Sequence, residues 1–340
     1  MLPFVQHRLL ISGLRKDVQA MARVKYAKIK KLLYKTAKTT GTAAKKLIPI
    51  YLMMVPGFLY LIINNYIPMF GIIVAFKNYN YSLGIFGSKW NGLKNFKFLF
   101  KTKDAFTITR NTLMYNAVFI ILGNSLGILI AILLNEIQSK MAKKTYQTII
   151  LLPFLLSIVI VSYIVYGIFS TEFGIANHML TSLGKDRISW YSTPKYWPFI
   201  LTFINLWKNM GYNTVLYYAT LIGIDVSYYE AAVVDGASRW QRIRYITIPS
   251  LIPTITIMVL MAISTIFYSD FGLFYQVPLN SGPLIDVTNT IDTYVYRGLR
   301  ENSNIGMSAA AGLYQSVVGF IMVIAANTLV KRMGNGNELF

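Results

Sequence analysis

The chain has 340 residues, 55% of them hydrophobic, 14% aromatic and 14% charged, against roughly one quarter charged in ordinary soluble domains. With a mean hydropathy of +0.48 it is not a water-soluble globule. Its 33 Lys and Arg against 13 Asp and Glu give a net charge of +20, a balance that draws nucleic acid or anionic lipid and, beside apolar segments, reports membrane topology. The absence of cysteine and the presence of only His7 and His178 exclude disulfide frameworks, thiol catalysis and multi-histidine zinc sites.

Residues 1–46 hold twelve of the basic residues, Arg8 to Lys46. Next to a membrane segment such a block is read as a polybasic cytoplasmic stretch on anionic lipid rather than a nucleic-acid site. It carries no cleavable leader pattern. Residues 47–332 follow as the predicted membrane domain. Six stretches free of acidic and basic residues, apart from one lysine, match the ~20 residues a helical span needs: 47–76, 111–135, 145–171, 196–224, 245–269 and 302–330. The first exceeds one crossing and contains Pro56 and Pro68, so a turn is expected near Asn64 to Pro68. The fold class expected is all-α, a polytopic protein of six membrane helices.

Six spans place both termini on one side. The twelve N-terminal charges, with Lys140, Lys143, Lys144, Arg239, Arg242, Arg244, Lys331 and Arg332 in loops and tail of the same side, make that side, including residues 333–340, cytoplasmic. Lys77, Lys89, Lys94, Lys97, Lys101, Lys103 and Arg110 in the first outer loop run against this rule.

Between the fourth and fifth segments, residues 225–249 form a cytoplasmic loop. Ser227 with Glu230, and Ser238 with Gln241, have capping-box spacing, so two short helices are predicted. Gly236 is expected to stop the first, and Pro249 to end the hydrogen-bond ladder at the membrane surface. Tyr228, Tyr229, Ala231, Ala232, Val233 and Val234 make an apolar knob suited to a groove on a partner; an interfacial linker helix is the plainer alternative.

Glu230-Ala231-Ala232, then Gly236, Ile246 and Ile248-Pro249, resemble the EAA signature of membrane subunits of binding-protein-dependent ABC importers, with Ile248 in place of the usual Leu. Asn111-Thr112-Leu113, Leu133 to Glu136, Leu151-Leu152-Pro153 and Gly174 to Asn177 resemble the carbohydrate branch. Tyr66 to Lys77, Trp90 to Phe96 and Ile291 to Arg297 resemble its subgroup for oligosaccharides from plant or algal polysaccharides, similar to rhamnogalacturonan and alginate importers. The resemblance spans residues 47–332. It implies the type I importer permease fold, a second permease subunit, two ATP-binding subunits, an extracytoplasmic solute-binding protein, and ATP with Mg bound in the ATPases and no cofactor here. Glu230, Ala231, Ala232, Asp235, Gly236 and Arg239 then form the coupling surface, Glu230 as the anchoring charge. Since the chain lacks a G-x-x-x-x-G-K-[ST] loop, ATP is expected to be cleaved in another polypeptide.

Ionisable groups inside spans are functional candidates, and Lys208 is the only one. With Trp207, Asn209 and Tyr212 it offers a flat face and polar groups for a sugar, the cation suiting a uronate carboxylate. The alternative is a lysine snorkelling beside Trp207 near the external end of its span. The stretch also resembles the sugar-lining region of maltose-type permeases. Tyr268 and Asp270 are a second candidate pair for sugar hydroxyls, or else cap a helix at the interface. Asn124 and Asn327 are expected to bond between helices, and His178 to make a loop contact. The outer loops 78–103, 172–195 and 274–300 suit a docking protein. The expected function is therefore import of oligosaccharides, uronate-containing ones among the candidates. The rivals are an importer of an amino acid or polyamine, a membrane scaffold or sensor, and an ion-coupled carrier, the last lacking recognisable inverted repeats.

Overall fold

The computed structural model describes residues 42–301 and 303–332; the basic segment up to residue 41 and the tail 333–340 lie outside the described residues. The chain divides into two units after Phe70, inside the first apolar segment. In the first unit α1 (Thr42–Leu61) continues into a π-helical turn, Ile62–Tyr66, and a short helix Ile67–Met69. The expected turn at Asn64 to Pro68 does not form, and the helix persists to Phe76. Proline lacks the N–H that an i to i−4 bond requires and crowds the preceding turn. A wide π turn ending two residues before it relieves both demands. The same arrangement recurs at Ile243–Thr247 before Ile248-Pro249, and at Gly272–Gln276 before Val277-Pro278.

In the second unit a two-stranded antiparallel pair, Lys77–Asn78 with Lys89–Trp90, precedes the helices. These are α2 (Lys94–Lys101), α3 (Asp104–Glu136), α4 (Lys140–Leu155), α5 (Ile158–Phe169), α6 (Ile175–Ser182), α7 (Trp197–Ile222), α8 (Val226–Val234), α9 (Arg239–Ser264, including its π turn), α10 (Ile291–Arg300) and α11 (Ile305–Arg332). The architecture is all-α, as expected. Pro249 does not end the helical ladder, because its π turn carries α9 through.

Among the described residues four helices are long and apolar enough to cross a membrane: Pro49–Phe76, α3, α9 and α11, with a fifth if α4 and α5 count as one broken span. The six expected from sequence are not reached on those criteria, for two reasons. The third segment is bent by 94° between α4 and α5. The fourth, α7, is a single 26-residue helix carrying Asn205, Lys208, Asn209 and Asn213, polar groups that are half-buried where α7 packs against α3, α4 and α9.

Three apolar clusters hold this unit together. One joins Tyr115, Val161, Trp197, Leu201 and Phe274; a second joins Ile108, Phe267, Ile291 and Ala311; a third joins Ala131, Tyr217, Leu221 and Leu251. Polar bonds between helices supplement them. Tyr217 donates to Asn124 Oδ1 at 2.5 Å, tying α7 to α3 as expected for a mid-span asparagine, and the hydroxyls of Thr220 and Thr254 meet at 3.0 Å. Gly211 lets α7 approach α4 closely, since a Cβ there would lie 2.0 Å from the Ile150 carbonyl oxygen.

Candidate functional site

The break between α4 and α5 follows from local sequence. Pro153 sits in the last turn of α4, Leu156 and Ser157 are extended, and Ser157 Oγ accepts from the Val159 N–H to start α5. Such a break strands carbonyl groups at the C-terminal, partly negative end of α4, with no water inside a bilayer to satisfy them. Lys208 supplies the donors: its Nζ donates to the carbonyls of Phe154 at 3.1 Å and Leu156 at 2.8 Å, and stands 5.7 Å from the Phe154 ring centre.

Lys208 therefore lies at the middle of α7, not near its external end, and is half-buried. Tyr212, one turn further on, stacks on Phe154 with centroids 5.2 Å apart and rings 17° from parallel. Tyr212 remains 47% exposed and Phe154 38%, so a cation and two stacked rings face outward at the break. Phe154 was missed in sequence, where it reads as one more apolar residue. The other expected ligands do not join this group. Trp207 packs toward the apolar cluster around Val161 and Ile204, and Asn209 donates back to the Asn205 carbonyl.

Nor, among the described residues, does any hydrogen bond or ring contact link Tyr268 or Asp270 to Lys208 or Tyr212. Asp270 Oδ1 accepts from the Leu273 N–H at 3.1 Å, capping the π turn, and Tyr268 is exposed. Ser269, between them, is the engaged residue: its N–H and Oγ donate to Asp292 Oδ2 at 2.6 and 2.8 Å, and Gln315 Nε2 donates to both Asp292 oxygens at 3.1 Å. Nearby, Arg297 donates to Asn280 at 2.8 Å and Asn289 at 2.6 Å. Burial pulls the Arg297 guanidinium below its ordinary pKa, while Glu301 works the other way. The run Ile291 to Arg297 is thus a polar clasp between α10, α11 and the end of α9. Its signal in sequence was two ionisable residues five apart in an outer segment.

The loop after α7 presents a different surface. Asp225, not Ser227, caps α8: its Oδ1 accepts from the Ser227 N–H at 2.9 Å, which holds the carboxyl below the usual range. The helix closes as a Schellman turn, with Gly236 N–H on the Val233 carbonyl, Ala237 N–H on that of Ala232, and Gly236 at φ +75°. The second capping box forms as expected, Ser238 N–H to Gln241 at 2.7 Å and Gln241 N–H to Ser238 at 3.4 Å. Tyr229 bonds Thr247 at 3.0 Å and pins α8 to α9.

Glu230, Ala231, Asp235, Gly236 and Arg239 are exposed and Ala232 is half-buried. Among the described residues, no hydrogen bond or ion pair engages the side chains of Glu230, Asp235 or Arg239. Val234 is 87% exposed and Trp240 67%; the latter was not anticipated. Acidic, basic and apolar side chains are thus exposed along α8, its closing turn and the first turn of α9.

Comparison with known proteins bears on both surfaces. Residues 123–335 match the family described as the binding-protein-dependent transport system inner membrane component. Protein LplB of Bacillus subtilis is 35% identical over 83% of this chain and 88% of its own length. The polygalacturonan/rhamnogalacturonan transport system permease protein YteP of the same organism is 32% identical over 84% of this chain and 88% of its own. A crystal structure of a bacterial alginate ABC transporter, in complex with a periplasmic protein bound to alginate pentasaccharide, contains a chain that superposes with a TM-score of 0.77. The two are 31% identical, covering 86% of this chain and 96% of that one.

Proposed function

Because the chain belongs to the family of inner-membrane components of binding-protein-dependent transport systems, we propose that it passes oligosaccharides across the cytoplasmic membrane by alternating access, as one half of a two-permease gate. It is a transport subunit and not an enzyme. The observation that carries the reading is α8 with the turn that follows it: a nine-residue helix, capped at both ends and pinned to α9, whose Glu230, with Asp235 at its C-cap and Arg239 at the start of α9, is exposed and unpaired among the described residues. A lever must be stiff at its base and sticky at its tip, and this helix is both.

In this proposal residues 225–249 and both termini are cytoplasmic. Each of two ATP-binding subunits holds ATP and Mg, and one receives α8. A second permease completes the pathway, and an extracytoplasmic solute-binding protein delivers the sugar to the outer loops. The substrate meets the break between α4 and α5. A lysine has three N–H donors, and two of those on Lys208 are bonded to Phe154 and Leu156. The third is available to a uronate carboxylate, with Tyr212 and Phe154 as a stacking face for the ring. The related rhamnogalacturonan and alginate systems support an acidic saccharide.

The test is reconstitution. The tagged chain, purified with its co-purifying subunits into proteoliposomes loaded with ATP, is supplied with the binding protein and labelled oligogalacturonate. ATP-dependent accumulation that Glu230→Lys abolishes is the expected result. Recovery of the chain alone, with uptake unaffected by Glu230→Lys, would overturn the proposal.

A further inference from the structure

A groove of about 400 Å³ opens between the first turn of α4 and the last turns of α7. Its α4 side, a cationic rim, carries Lys140, Lys143 and Lys144; its α7 side, an open apolar floor, is Val215, Ala219 and Ile222, the last two exposed. Ile222 ends α7, so the groove lies at the same end of the unit as the loop that contains α8. Neither α4 nor α7 contains an acidic residue to neutralise the three ammonium groups.

Lys143 is half-buried. Its Nζ lies 5.9 Å from the Tyr218 ring centre and makes one long bond, 3.5 Å, to the Asn135 carbonyl. It is therefore held over the groove with most of its donor capacity unused. The α4 N-terminus beneath adds partial positive charge, although Ser139 already occupies one of its free N–H groups.

We propose that this groove binds the phosphate headgroup of an anionic phospholipid, the three lysines pairing with phosphate oxygens and the acyl chains running along Val215, Ala219 and Ile222. A cationic rim beside an apolar floor distinguishes a lipid from a free anion, since inorganic phosphate or glycerol phosphate gains nothing from the floor. Placing the site in the cytoplasmic leaflet rests on the orientation proposed above. The binding itself does not, because it is read without transport.

The experiment is native mass spectrometry of the full-length chain in mild detergent, titrated with phosphatidylglycerol and, separately, phosphatidylcholine. The wild-type chain is expected to retain phosphatidylglycerol selectively. K140Q/K143Q/K144Q is expected to bind it roughly a hundredfold more weakly, each lysine at an anionic surface contributing about a fivefold gain. The triple Arg variant, which keeps charge and fold, should bind as wild type. K89Q/K94Q/K97Q, with the same charge loss in the first outer loop, should change affinity less than threefold.

Equal losses in the two Gln variants would reduce the effect to net charge and overturn the site. Displacement by glycerol phosphate at the lipid's own concentration would make it a free-anion site. Loss of ATPase co-purification in the Gln variant with lipid retention unchanged would assign the lysines to an acidic protein surface instead.

Discussion

The Lys208 ammonium nitrogen lies 2.8 Å from the carbonyl oxygen of Leu156, at a 94° bend between α4 and α5. One lysine in the middle of α7 thus satisfies the end of a broken helix that belongs to another segment.

Removing that charge should loosen the break. Lys208→Met leaves the Phe154 and Leu156 carbonyls without donors, and hydrogen bonds from charged groups contribute about 1.5–3 kcal/mol. A lowered unfolding midpoint in detergent is expected, with most of it restored in Lys208→Arg. Paired uptake of an acidic and a neutral saccharide separates structure from binding. Greater loss for the acidic one supports the third N–H as a ligand, and equal loss confines Lys208 to the break.

At the tip of the lever, Gly236 holds φ +75° in a Schellman turn. A residue with a Cβ, and above all a β-branched one, pays about 1–2 kcal/mol in that conformation. Gly236→Val should leave membrane insertion intact while misdirecting Glu230 and Asp235. Reduced recovery of the ATPase with the purified chain is the expected readout, and full recovery at normal uptake would show that the turn does not set the surface.

The Asp225 cap makes the base of α8 sensitive to acid. Its carboxyl titrates below the usual range because it accepts the Ser227 N–H. Its contribution is therefore complete above the unfolded-state pKa and is lost as pH falls through the folded value. Amide hydrogen exchange across Val226 to Ala231, corrected for intrinsic rates, should accelerate at acid pH in the wild type. Asp225→Asn, which caps without titrating, should remove that pH dependence.

The clasp at Asp292 predicts a stability effect remote from the pathway. Asp292→Ala strands the Ser269 N–H and leaves the Gln315 amide with only its bond to the Phe267 carbonyl. Leaving a buried partner unsatisfied costs about 1–3 kcal/mol. A fall in thermal midpoint larger than that of Asp270→Ala is expected, because Asp270 is exposed and caps only its own turn.

Much of this was readable before any coordinates. The Ser238 and Gln241 box and the stop at Gly236 follow from spacing alone, because helix caps are local and their chemistry lies within a few residues; the outward role of Glu230 comes from the family resemblance, and spacing pairs it wrongly with Ser227 where Asp225 is the cap. Pro249 and Pro68 were misjudged as breaks. A proline defines what the preceding turn lacks, but whether the chain stops or widens into a π turn depends on the packing on either side. Trp207 and Asn209 were grouped with Lys208 by sequence proximity. On a helix, neighbours point to different faces, and only Tyr212, one turn away, shares the face that Lys208 presents to Phe154.

The amino-acid sequence by itself determined that this is a helical membrane protein, where its loop helices start and stop, and which family signature that loop carries, since composition, hydrophobic run length and capping act over short distances. Tertiary structure alone decided that the third segment is broken, that Lys208 satisfies the break from 52 residues away, and that Asp292 rather than Asp270 ties the start of α10 to Ser269 beyond α9 and to Gln315 of α11. Those outcomes depend on which carbonyls and carboxylates are left without local partners, and a distant donor meets them only once the helices have packed.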